Sequence, residues 1–241
     1  MIRVAVLSDI HANLDALEAV WEDVLEQGVD RVFHLGDLVG YNPYPVECVE
    51  FVRTHNLPGI AGNYDLAVIS DEPDPVGLYL KKSISPDGLG AYEWTRSRIT
   101  PECRDFLGGL PQRLEVQLEG HHLTLVHGSP FSVREYLTPD TPPARLNLMV
   151  KASGGDVLVC GHTHLPMIRQ TGSGLLINPG SVGKPKDGNP RAGYLVLELA
   201  PEKVAPRIRR VEYPVAETAA LIRQVGLPEA QADSLLRGLS A

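Results

Sequence analysis

Ile2-Arg3-Val4-Ala5-Val6-Leu7, followed by Ser8-Asp9-Ile10-His11, is the stretch on which the fold turns. A short apolar run bounded by polar residues reads as a buried strand. Asn13 then caps a helix whose apolar residues Leu14, Leu17, Val20, Trp21, Val24 and Leu25 share one face, and Gly28 stops it. Residues 32–35 read as a second strand. Pro45 opens a second helix carrying Val46, Val49, Phe51 and Val52, and residues 57–61 read as a third, short strand. Strands alternating with helices predict parallel pairing through right-handed crossovers.

Beyond residue 69 the alternation breaks. Residues 70–85, with Asp71-Glu72-Pro73-Asp74-Pro75, read as a lid or excursion. Helices are expected over 89–98 and, capped by Thr100 with Pro101 in first place, through 107. Residues 113–118, Gly120 and 123–126 read as a hairpin. Further strands are expected at 156–160, 167–170, 175–177, 194–199 and 207–212, with helices at 144–152, 215–225 and 229–236. A parallel half followed by a largely antiparallel half predicts an α/β protein of two packed sheets flanked by helices. One domain spans 1–241, with the excursion around 70–110 and the C-terminal helices within 215–241.

The 241 residues are enough to bury a sizeable core, and 43% hydrophobic with 22% charged residues is an ordinary globular balance. Lys plus Arg number 22 against 30 Asp plus Glu, a net charge of −8, the opposite of what wrapping duplex nucleic acid requires. Cys48, Cys103 and Cys160 show no CxxC spacing and read as buried free thiols in a reducing compartment. The apolar start is too short for a signal peptide, and no run approaches a membrane span, so a cytoplasmic protein is expected.

Chemistry-bearing residues gather where the expected strands run out. Asp9 and His11 follow the first strand, Asp37 follows the second in Gly36-Asp37-Leu38-Val39-Gly40, and Asn63 follows the third in Gly62-Asn63-Tyr64-Asp65. His127 stands in Val126-His127-Gly128, and His162 and His164 in Gly161-His162-Thr163-His164. Ligands in open α/β sheets collect at carboxyl ends of strands. Two carboxylates, four imidazoles and one carboxamide suit Mn, Fe, Zn, Co or Ni better than Ca or an iron–sulfur cluster. The set exceeds what one tetrahedral ion needs and matches two ions sharing a carboxylate. Gly36, Gly62, Gly128 and Gly161 are expected to turn the backbone beside the ligands.

The order Asp-x-His, Gly-Asp-x-x-Gly, Gly-Asn-x-Asp, His-Gly, Gly-His-x-His, from residue 9 to 164, resembles the calcineurin-like metallophosphoesterases. Asn178-Pro179-Gly180-Ser181-Val182-Gly183 resembles a further element of their small bacterial phosphodiesterase branch. The resemblance implies a four-layer αββα sandwich with two mixed β-sheets flanked by helices. It places Asp9, His11 and His164 on one metal, Asn63, His127 and His162 on a second, and Asp37 between them. Two divalent transition-metal ions, manganese foremost, would stand about 3.5–4 Å apart, and a hydroxide bridging them would attack phosphorus.

Those implications extend to substrates. The expected substrate is a small phosphate ester, nucleotides included, with no stable nucleic-acid partner and no membrane; a homo-oligomer is left open. A phosphodiesterase is the first reading. A phosphomonoesterase or dinucleoside polyphosphate hydrolase on the same site is the alternative, and a protein-binding scaffold, as in the family's retromer subunit, is the non-enzymatic one. Where the family carries a His after Gly-Asn this chain has Tyr64, a weaker acid, so esters with poor leaving groups would suffer most. Asp65 is expected to orient His11 or another ligand. His34 and Cys160 read as packing, His55, His121 and His122 as solvated, Lys184 and Lys186 as an exposed basic turn or a phosphate contact, and Arg134 as a surface ion pair.

Overall fold

The computed structural model describes residues 1–80 and 84–240. In chain order its elements are β1 (Ile2–Leu7), α1 (Leu14–Glu26), β2 (Arg31–His34), α2 (Pro45–Thr54), α3 (Asn63–Ile69), α4 (Pro75–Tyr79), α5 (Pro86–Arg96), α6 (Pro101–Gly108), β3 (Arg113–Leu118), β4 (His121–Val126), α7 (Pro143–Ser153), β5 (Val157–Cys160), β6 (Met167–Thr171), β7 (Gly174–Asn178), β8 (Ala192–Ala200), β9 (Lys203–Val211), α8 (Val215–Gln224) and α9 (Glu229–Arg237). Part of the expected excursion, residues 81–83, and residue 241 lie outside the described residues. Among the described residues no helix is long and apolar enough to cross a membrane.

Two mixed sheets face each other. One has the order β2-β1-β8-β9 and the other β3-β4-β5-β7-β6. Val4, Val6, Leu195 and Leu197 meet Leu123, Leu125, Val157 and Val159 between them. The opposite face of the first sheet, through Ala5, Leu7, Tyr194 and Val196, packs on α1, α2 and α3. The outer face of the second packs Leu158, Cys160 and Leu176 on Leu146, Met149 and Val150 of α7. The layers are α, β, β, α. Each fully buried Leu or Val contributes about 1.5–3 kcal/mol to this arrangement.

Four expectations change. Residues 57–61 make only one bridge, His34 to Gly59. Pro58 has no N–H to give a ladder, and at Ala61 the chain turns its N–H to the Pro111 carbonyl. The second half is largely antiparallel, as expected, in β3–β4, β6–β7 and β8–β9, but not throughout: β4, β5 and β7 run parallel, because α7 makes a crossover between β4 and β5. Nor do the sheets divide at mid-chain, since β8 pairs antiparallel with β1. Finally, β9 begins at Lys203, before Pro206, which an edge strand tolerates.

The C-terminal α8 and α9 form a small cluster with α5, built on Ala91, Ala219, Ile222, Leu227, Ala232 and Leu235. Trp94 packs here and donates from Nε1 to the Val225 carbonyl at 3.0 Å. Thr218 of α8 donates to Asp15 of α1 at 2.6 Å. The three cysteines are buried and free.

Candidate metal centre

Ligand-type side chains from loops distant in sequence converge at the carboxyl ends of β1, β2, β4 and β5. Asp9, His11 and His164 form one buried group, and Asp37, His127 and His162 another, with the ligand atoms of each within 4.8 Å of one another. Asn63, in the first turn of α3, brings Oδ1 to 2.8 Å from His127 Nε2. The structure therefore brings together Asp9, His11, Asp37, Asn63, His127, His162 and His164. His34 and Cys160, although buried, belong to neither group.

Three imidazoles are oriented the same way. His11 donates from Nδ1 to the Val39 carbonyl at 3.0 Å, His127 to Leu35 at 2.7 Å and His164 to Lys184 at 2.5 Å. Each bond turns Nε2 inward; in His11 and His164 that nitrogen keeps a lone pair, whereas in His127 it holds a proton toward Asn63 Oδ1. The inward lone pairs of His11 and His164 lie 3.2 Å apart, while Asp9 Oδ1 and His162 Nε2 are buried with no hydrogen-bond partner among the described residues. Converging lone pairs and orphaned acceptors repel unless a cation lies among them, so the residues fit divalent metal ions.

The electrostatics agree. Burial lowers His11 and His162 to about 3 and lowers His164, keeping these ligands neutral. Burial opposes the charge on Asp37, yet His127 and His11 hold it down at about 2; Asp37 and Asp9 in turn push His127 up to about 9 against its own burial. A metal ion would take the place of that proton.

The backbone carries its own signature. Asp9, His11, Asp37, His162 and His164 all have positive φ, between 47° and 67°. The sharp turns fall on the ligands themselves, whereas Gly62, Gly128 and Gly161 are needed for close approach. A Cβ at Gly62 would stand 2.1 Å from Asp37 Oδ1, and one at Gly161 2.0 Å from Ser8 Oγ. The 178–183 segment straps the loops together: Ser181 donates to the Asp9 carbonyl at 2.7 Å, and Asn178 donates to the Gly161 carbonyl at 2.8 Å.

Asp65 and Tyr64 sit differently from expectation. Among the described residues Asp65 makes no hydrogen bond to a candidate ligand side chain. It accepts the N–H groups of Leu38 at 2.8 Å, Val39 at 3.3 Å and Gly62 at 3.0 Å, and so holds the loop that carries Asp37 and receives His11. Burial and the Asp37 charge push it up to about 7. Tyr64 packs in the core behind His11, with its hydroxyl buried and unpartnered and its ionisation raised well above the ordinary phenol value by burial.

A cleft of about 260 Å³ opens over Asn63 and is lined also by Tyr41, Tyr136, Leu80, Ile84 and Lys184. Tyr41 packs edge-on against His11 and Tyr136 lies against His162. Neither tyrosine carries a sequence signal. Lys184 is 4% exposed rather than part of an exposed turn, and donates to Gln231 and Ser234 of α9. The available clue was on α9, where Gln231 and Ser234 interrupt the apolar face formed by Ala232 and Leu235. Among the described residues Arg134 makes no ion pair, and it donates to the carbonyls of Gly77 and Leu78. His121 bridges Asp156 and the Ala200 carbonyl instead of being solvated.

Comparison with known proteins follows the same line. The family model for the calcineurin-like phosphoesterase superfamily domain matches residues 2–202. An uncharacterized protein of Methanocaldococcus jannaschii is 34% identical over 253 residues, covering 98% of each chain. The Escherichia coli phosphodiesterase YfcE is 30% identical over 208 residues, covering 82% of this chain and 88% of its own. The crystal structure of a metallophosphoesterase from Sphaerobacter thermophilus matches with a TM-score of 0.79 at 34% identity, covering 99% of both chains.

Proposed function

This chain belongs to the calcineurin-like phosphoesterase superfamily, and from that premise we propose that it hydrolyses phosphodiesters at a centre of two divalent metal ions. The observation that supports this best is Asp37 Oδ2, 3.5 Å from His11 Nε2 and 3.4 Å from His127 Nε2, so that one carboxylate oxygen serves both ligand groups. Asp9, His11 and His164 would hold one ion, and Asn63, His127 and His162 the other. Manganese is the first candidate, with Fe, Zn, Ni and Co sharing its donor preferences. When bound, such ions supply Lewis-acid charge to phosphoryl oxygens and a water nucleophile at neutral pH.

The chain's own groups do the rest. Asp65 holds the Asp37 loop, and three backbone carbonyls aim the imidazoles. Leu80 and Ile84 exclude water from one flank of the cleft, while Lys186 sets positive charge on it for an anionic ester; burial lowers Lys184 to about 7, so it adds only part of a charge at neutral pH. Burial holds the phenols of Tyr41 and Tyr64 above their ordinary value, so neither is an effective proton donor to a departing alkoxide at neutral pH. Diesters with acidic leaving groups, such as aryl diesters, therefore suit this site best, and the YfcE relative is itself named a phosphodiesterase.

The test is hydrolysis of an aryl phosphodiester and its matching monoester by metal-stripped protein refilled with Mn²⁺, beside Asp37→Ala and Asn63→Ala. Diester turnover that needs metal and disappears in both variants is expected. Faster monoester turnover would move the assignment to a phosphomonoesterase. No turnover of either ester with two ions bound would leave the diesterase reading without support.

A further inference from the structure

The family match ends at residue 202, yet α9, beyond it, reaches the metal centre. It does so through Lys184, whose ammonium donates to Gln231 Oε1 at 2.6 Å and Ser234 Oγ at 3.0 Å. The same residue touches the surroundings of both histidines in one ligand group. Its backbone carbonyl receives His164 Nδ1 at 2.5 Å. Its ammonium lies 4.4 Å from the centre of the Tyr41 ring, and that ring packs edge-on against His11 at 4.8 Å. The other group is oriented elsewhere, His127 by the Leu35 carbonyl.

We propose that Lys184, anchored by Gln231 and Ser234, is a positioning residue through which the C-terminal helix sets the affinity of the Asp9–His11–His164 metal position independently of the other. The inference rests on the two-metal reading above. The physical reason is the small number of restraints on the Lys184 carbonyl. The N–H of the same residue, in the preceding peptide, is tied to Ser181 Oγ at 2.8 Å, and the side chain supplies the second tether. Without the α9 anchors, the buried Lys184 Nζ loses its Gln231 and Ser234 partners and turns toward water, dragging the carbonyl away from His164 and releasing Tyr41 from His11. Loss of such an outer partner costs about 10–100-fold in metal affinity.

The experiment is calorimetric titration of metal-free, full-length protein with Mn²⁺. Wild type should take up two ions. In Gln231→Ala/Ser234→Ala one step should weaken by about 10–100-fold with the other unchanged. Gln231→Glu with Ser234→Ala restores an acceptor to the ammonium and should recover the lost affinity, a rescue that a merely structural role for α9 does not predict. In a His127→Ala background, which cripples the other group, the double substitution should weaken the remaining tight step by the same factor of about 10–100. Should the double variant not fold, Ser234→Ala alone carries the test, with a smaller weakening confined to the same step. Equal weakening of both steps, or of neither, overturns the proposal. Wild-type protein that binds fewer than two ions overturns the two-metal reading itself, which is a separate and visible result.

Discussion

Replacing Gly62 with alanine tests the placement of Asp37. The new Cβ would lie 2.1 Å from Asp37 Oδ1, 2.2 Å from its backbone nitrogen and 2.7 Å from its Cγ, where real Cβ atoms essentially never come within 3.0 Å. Asp37 Oδ1 is held by the Tyr64 N–H at 2.7 Å, and one clash is with backbone, so no flexible end can swing aside. Restoring 3.0 Å requires a retreat of about 0.9 Å, and a misplacement near 1 Å costs on the order of 10²-fold in rate. That is about 2.7 kcal/mol of transition-state stabilisation. Overpacking costs about 1–3 kcal/mol of folding stability, so the variant should fold and be slow. The assay is steady-state aryl-diester hydrolysis with Mn²⁺, read beside thermal unfolding and metal content. Gly108→Ala, whose added Cβ meets nothing nearer than 3.8 Å, is the control and should keep full rate. A Gly62→Ala protein with wild-type kcat and both ions bound would refute the role given to Asp37.

Three further outcomes are expected. Tyr64→Phe removes a buried, unpartnered hydroxyl, so activity should stay within about twofold while stability rises by about 1 kcal/mol; a large loss of kcat would return Tyr64 to the chemistry. Asp23 accepts Tyr194 and Arg209, at 2.5 Å from each, and these bonds hold its carboxyl below the ordinary value against burial. Its contribution is therefore present above the unfolded value and lost as pH falls through the folded one. Asp23→Asn should cost about 1 kcal/mol at neutral pH, discounted for partial solvation, and the gap from wild type should close in acid denaturation; a gap independent of pH refutes the linkage. Removing metal should abolish turnover. Against protein holding ions at about 100-fold over their Kd, it should lower stability by about 2.7 kcal/mol per site, a Tm drop of about 5–10 °C by scanning calorimetry.

The convergence of these side chains was legible because most of them stand just past an apolar run, where strand ends place side chains in open α/β sheets. The layers were legible for the same reason: the run 157–160 is apolar throughout and 4–7 is apolar past Arg3, as strands covered on both faces must be. What escaped was non-local. Pro58 disqualifies a strand only when its neighbour needs that N–H. The parallel β4–β5 pairing depends on α7 crossing over, and β8 joins β1 from the far end of the chain. Lys184 looks like a surface turn until Gln231, 47 residues later, is found beside it. Tyr64 occupies a catalytic position by motif, yet its ring is claimed by the core; Tyr41, without any motif, reaches the cleft.

The left-handed backbone at Asp9, His11, Asp37, His162 and His164 also bears on how this protein would drift over generations. Each non-glycine residue held there costs on the order of 1 kcal/mol, and together they weigh against a net stability of only about 5–15 kcal/mol. Glycine at any of them would relax the chain while erasing a ligand. Libraries screened for heat tolerance alone should accordingly enrich such losses, so the centre would be among the first features to erode. Were Asp and His to persist at these strained positions in natural descendants, purifying selection for the chemistry would be the reason, because folding by itself favours glycine there.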